Sequence, residues 1–164
     1  MDEDLTKWFL KNGANPDAEC GLDYTPLSVA VTRAPLSIIE LLFQTGGTTQ
    51  HGQLLHYAAN RREPQYAEVF TLLLSKGATG MNDRLYEHRP ENYEMHKSIG
   101  LGTPLHIAAT AGLYDTVKHL LDHGADCSVV NSRGHLAKDC ALFGQHFDVV
   151  ELLSSAFSER TLAP

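Results

Sequence analysis

Residues 103–112 read TPLHIAATAG, and the fold turns on how they are understood. Thr is a strong N-cap residue, because its hydroxyl can satisfy an unpaired backbone N–H of a first helical turn. Pro at the next position loses nothing, since its missing N–H would have no partner there anyway. Leu105 then faces inward, and the pair Ala108-Ala109 lets a neighbouring helix approach closely. The stretch is a helix start, and His106 within it is structural rather than catalytic.

The stretch also recurs, which matters because an overlooked repeat misassigns a whole fold. TPLSVAVTRA begins at Thr25 and QLLHYAANRR at Gln53, and HLAKDCALFG, a degenerate version, begins at His135 with its register open by one residue. Each is followed by a second apolar segment: SIIELLF, AEVFTLLL, DTVKHLL and DVVELL. Within these, Val117, Leu120 and Leu121 share one helical face, as do Val149, Leu152 and Leu153. Gly46, Gly77 and Gly124 close three of the second segments, where a helix end needs a left-handed residue. The opening DLTKWFLKNGAN reads as one more second segment and turn, without a first helix before it.

This wording and spacing resemble the ankyrin repeat, a unit of roughly 33 residues built as a turn and two antiparallel helices. The phrasing is closest to arrays of filamentous fungi. The resemblance implies an all-α solenoid over residues 1–157: a partial repeat at 1–24, full repeats from about 25, 53, 103 and 134, and a tail at 158–164. It also implies that motif Thr and His side chains lock one repeat to the next. That role falls to Thr103 and His106, with Pro104 between them completing the repeat motif, to Thr25 with Ser28 in place of His, and to His56 with Gln53 in place of Thr. The expected network is therefore complete only in the third full repeat.

Composition is consistent with a globular domain. The 164 residues are 43% hydrophobic and 20% charged, enough to bury one core. A formal net charge of −7 argues against a nucleic-acid surface, which needs clustered basic residues. No apolar run approaches the ~20 residues of a membrane span, and the start lacks the basic and apolar regions of a secretory signal. Three cysteines, widely spaced and in no CxxC pair, fit a reducing compartment. The expectation is an intracellular protein, cytoplasmic or nuclear.

Candidate chemistry is sparse. His119 and His123 share a helix face, but two ligands do not make a metal site. His88 and His96 with Glu87, Glu91 and Glu94 form a second, geometrically undefined cluster. Cys140 has His146 six residues on, yet sits where an Ala-like core residue belongs. GLGTPL lacks the third glycine and the preceding strand of a dinucleotide motif. No catalytic residue, metal or cofactor is expected.

What remains is surface. The connection from Gly77 to Thr103 is far longer than that from Gly13 to Thr25, so residues 80–102 are an insertion in the hairpin between repeats. Long loops on a rigid scaffold tend to carry function. This one holds Arg84, Tyr86, Arg89, Tyr93 and His96, richer in aromatics than a disordered segment. By resemblance, the concave face includes the residues after the paired alanines, here Arg33 and Arg61, with Arg62 beside it. Those eight are the expected partner-binding residues, for a protein partner presenting carboxylate or phosphate. At the other end, Leu5, Trp8, Phe9 and Leu10 start an uncovered helix, an edge expected to self-associate. The reading is a non-catalytic protein-interaction module, as a regulator or transcription co-regulator. The alternatives are a segment of a larger ankyrin protein and, further off, a metal- or thiol-dependent enzyme.

Overall fold

Thr25 opens α2 (Pro26–Arg33), which follows α1 (Glu3–Lys11) in the computed structural model; the structure describes residues 2–162. The chain then runs through α3 (Leu36–Gln44), α4 (Leu54–Ala58), α5 (Tyr66–Ser75), α6 (Pro90–His96), α7 (Pro104–Thr110), α8 (Tyr114–Asp122), α9 (Ala137–Phe143) and α10 (Phe147–Leu162). A 3-10 turn at Lys97–Ile99 follows α6. No strand forms among the described residues. The hairpins between repeats keep only isolated antiparallel bridges, Cys20 to Tyr24 and Val130 to Leu136.

Two units divide the chain, one ending at Thr79 and one beginning at Gly80. In the first, α2 packs against α3 and α4, α4 against α5, and α1 against α3. Leu27, Ile38, Ile39, Leu55, Phe70 and Leu73 are fully buried between these helices. Each such side chain contributes about 1.5–3 kcal/mol relative to exposure. In the second unit α7 packs against α8 and α9, and α10 against α8 and α9, around Leu105, Val117, Leu120, Val149 and Leu153. The paired alanines Ala58-Ala59 and Ala108-Ala109 are wholly buried. With no bulk beyond Cβ, they set how closely α4 approaches α2 in the first unit and α7 approaches α9 in the second.

The expected Thr–His lock forms in the third full repeat, and its equivalent forms in the first as well. His106 Nδ1 accepts from Thr103 N–H at 3.2 Å and lies 2.9 Å from the Thr103 hydroxyl. Its Nε2 reaches the His135 carbonyl at 3.1 Å. A carbonyl only accepts, so Nε2 carries the proton and Nδ1 is the acceptor. In the first full repeat Ser28 fills the same place. Its Oγ accepts from Thr25 N–H at 3.2 Å and donates to the Gly52 carbonyl at 2.8 Å. A hydroxyl reaches less far than an imidazole, so the following hairpin must come closer. Gly52 permits that approach, at φ +79°, where a Cβ would collide with Ser28 Oγ and Thr25 Oγ1. The network is therefore not confined to the third repeat, because serine and glycine together substitute for the histidine.

The fourth repeat starts one residue later than HLAKDCALFG suggests. The helix α9 begins after Leu136, whose N–H donates to Asp139 Oδ2 at 2.9 Å, so a carboxylate caps the helix where Thr is missing. Helix α10 runs to Leu162, so residues 158–162, expected as a tail, continue it; residues 163–164 lie outside those described.

The insertion is a folded part of the second unit. Asn82 Oδ1 accepts Asp126 N–H at 2.7 Å, and Leu85 N–H donates to the Gly102 carbonyl at 2.9 Å. Ser132 donates from its backbone to the Leu101 carbonyl and from its hydroxyl to the Lys97 carbonyl. With its polar backbone satisfied in this way, the segment between α5 and α7 is held against the next hairpin rather than left free.

Candidate protein-interaction surface

The expected partner-binding residues divide by burial. In the first unit Arg33 and Arg62 are exposed, at the end of α2 and in the turn after α4. Arg61 lies between them in the expected row but is only 3% exposed. Its guanidinium donates to the Pro64 carbonyl from Nε and Nη2, at 3.1 and 3.0 Å, and to the Val31 carbonyl from Nη1, at 3.2 Å. Burial pulls its pKa down, opposed by the nearby charges of Glu63 and Glu68. Arg61 thus fastens the turn after α4 to the end of α2, and has no guanidinium face left for a partner.

The insertion divides in the same way. Tyr86 is buried, at 6% exposure, with its ring 5.8 Å from His96. Arg84 is half-buried: its Nε donates to the Val130 carbonyl at 2.7 Å, and its Nη1 pairs with Glu87 Oε1 at 3.3 Å. Both residues build the loop. Arg89 is exposed at the start of α6, while Tyr93 and His96 are half-buried along it. His96 Nδ1 lies 2.9 Å from the Asn92 carbonyl.

The groups weighed for chemistry are dispersed. The rings of His119 and His123 lie 4.2 Å apart, and His123 Nδ1 faces the His119 carbonyl at 2.8 Å. Burial, and next the charge of His123, lowers the pKa of His119. His88 lies 3.0 Å from Asp83 Oδ2. Among the described residues no group of three His, Cys, Asp or Glu is placed to hold a metal ion. His146 Nε2 faces the Thr110 carbonyl at 3.2 Å, and burial raises the pKa of the Cys140 thiol, the opposite of an activated nucleophile.

One surface feature escaped the sequence reading. The residue seven positions after the helix cap is Thr32, Asn60 and Thr110 in the first three full repeats, and Phe143 in the fourth. Phe143 is 68% exposed, beside a cavity of about 540 Å³ in the second unit that Arg133, His135 and Cys140 also line. Starting the repeat at Leu136 instead of His135 would have put Phe143 in that column.

Paired antiparallel helices, stacked by side chain-to-carbonyl locks, define a helical repeat protein. The family model described as ankyrin repeats (3 copies) matches residues 83–160, so that part of the chain carries ankyrin repeats. The chain is 32% identical to the human B-cell lymphoma 3 protein over 77% of its own length and 26% of that protein. It is 27% identical to the bovine mitochondrial disaggregase over 93% of this chain and 21% of that protein. A probable E3 ubiquitin-protein ligase of rice is 34% identical over 58% of the chain, which covers 16% of its length. The chain thus spans about a quarter or less of the length of these relatives. Its ankyrin repeats make it a protein–protein interaction module. No described helix is long and apolar enough to cross a membrane.

Proposed function

We propose that the chain recognises a partner presenting carboxylate or phosphate groups, without catalysis of its own. In the second unit the contacting residues are Arg89, Tyr93 and His96 of the insertion; in the first, taken by itself, they are the exposed arginines at the helix ends, Arg33 and Arg62. The folded insertion carries this reading. A segment hydrogen-bonded to its own unit offers Arg89 and Tyr93 at little ordering cost, and Tyr and Arg dominate binding energy at protein interfaces. Arg61 and Tyr86 are left out of the contact set, because their side chains are committed to the fold. A regulatory role, co-regulation of transcription included, would follow from occupying such a partner. The small share of the relatives' length that the chain covers favours a second reading, in which the array is the recognition segment of a longer polypeptide.

Affinity capture with the parent and with a triple variant, Arg33→Glu, Arg62→Glu and Arg89→Glu, tests the proposal. Proteins held by the parent should be lost from the variant while circular dichroism stays unchanged. Tyr93→Ala alone should weaken a captured partner by about 1–2 kcal/mol. An identical set of captured proteins would refute the proposal.

A further inference from the structure

We propose that the cavity of the second unit lined by Ile99, Asn131, Arg133, His135, Cys140 and Phe143 is a docking site for an acidic peptide segment, one that sets an apolar side chain beside Asp or Glu. The proposal rests on the interaction reading above but involves none of the residues named there. The cavity, about 540 Å³, has the size of an ordinary ligand pocket. Its rim carries two large apolar side chains left to water, Phe143 at 68% and Ile99 at 69% exposure. Phe143 stands where the other full repeats carry Thr or Asn, so nothing in the repeat plan calls for an aromatic residue there. Its ring is already oriented by an edge-on contact with His135, 5.1 Å between centroids at 71°.

Charge selects the partner. Lys7, Arg84 and Lys97 each pair with a glutamate, whereas Arg133 is exposed and makes no ion pair among the described residues. The carboxylate of Asp139, on the neighbouring α9, is engaged with the Leu136 N–H. The Arg133 stem lies over Gly100, where a Cβ would sit 3.2 Å from Arg133 Cδ. Buried Asn131 accepts the backbone N–H groups of both Arg133 and His135, at 2.9 and 3.1 Å, so one amide fixes the turn that carries the cation and the imidazole. Its Nδ2 meets Cys140 Sγ at 3.6 Å, and burial pushes that thiol's pKa up. The cavity thus offers an uncompensated guanidinium, apolar walls and no anionic floor. A carboxylate can take the guanidinium in a two-point contact while the adjacent apolar side chain covers Phe143 and Ile99.

The test is an amide NMR titration of the full chain with short Gly/Ser-flanked peptides bearing an Asp-Leu-Phe-Asp core. Two control peptides carry Lys for Asp, or Ser for Leu and Phe. Saturable shifts centred on Ile99, Arg133, His135 and Phe143, seen with the first peptide and absent with both controls, are expected. Arg133→Glu should raise Kd at least about tenfold. Phe143→Ser should do the same, and Arg133→Lys should retain part of the affinity, with thermal melts unchanged because both side chains are exposed. Equal response to all three peptides, no saturable shift, or an unchanged Kd in Arg133→Glu would overturn the site. Shifts confined to Arg62, Arg89 and Tyr93 would overturn it and leave the broader interaction reading standing. Binding here, combined with partner capture indifferent to the triple variant, would support this site and sink the contact set proposed above.

Discussion

Protonation of His106 should loosen the second unit, and the structure shows where the free energy goes. Burial is the main force holding its pKa below the ordinary value; the His135 carbonyl pulls the other way, and the positive charge of Arg84 adds to the lowering. In the unfolded chain the imidazole titrates near 6.5. The folded state binds the proton less readily, so the stabilisation is fully present above that pH. It is lost as the pH falls through that value toward the depressed folded one. A proton on Nδ1 turns the acceptor for Thr103 N–H into a second donor. The Thr103 hydroxyl can rotate to accept it, but the N–H is left facing N–H in a site only 1% exposed. Leaving such a group unsatisfied costs about 1–3 kcal/mol. In a chain of this length each kcal/mol shifts Tm by about 2–4 °C. The comparison is with His106→Ser, the residue that the first full repeat uses at Ser28. That variant should be less stable at about pH 7.5, because a serine hydroxyl cannot span to His135, and the deficit should shrink toward about pH 5 as the parent loses its imidazole acceptor. Thermal melts of both proteins at fixed ionic strength read the difference, in which the other titrating groups cancel. Parallel Tm curves across that range would refute the reasoning.

Three further outcomes are expected. Leu120→Ala should cost about 2–5 kcal/mol in chemical denaturation, since Leu120 is fully buried between α8 and its neighbours; an unchanged midpoint would mean the core lies elsewhere. Arg61→Ala should destabilise by about 1–3 kcal/mol through the stranded carbonyls of Val31 and Pro64, while Arg62→Ala next to it should leave the melt alone; equal effects would contradict their opposite burial. Trp8, 58% exposed on a helix with no buried residue, should support self-association that sedimentation detects and Trp8→Glu removes; a monomer at all concentrations would argue against it.

Much of this protein was legible in short windows, because the forces that start and stop helices act within a few residues. Thr25 and Thr103 mark helix starts through their own hydroxyls and the prolines after them. Gly46, Gly77 and Gly124 mark turns through their positive φ, and the apolar period of Val117 and Leu120 points to a buried face. None of that needs knowledge of distant residues, and together it was enough to identify a stack of helix pairs. The surface was harder to read. Arg61 looks like a solvated helix-end charge until the fold brings the Val31 carbonyl, thirty positions away, to its guanidinium. Tyr86 reads as a contact residue in a long loop, yet it is buried because that loop is hydrogen-bonded to the next hairpin. Ser28 could replace a histidine only because Gly52 approaches closely enough for a shorter side chain to reach. Phe143 became visible once Asp139, a carboxylate in place of the motif histidine, was seen to cap Leu136 and shift the register by one. In each case tertiary structure decided whether a polar or aromatic group faces a partner or the chain itself, since that depends on which distant atoms the fold brings within hydrogen-bonding reach.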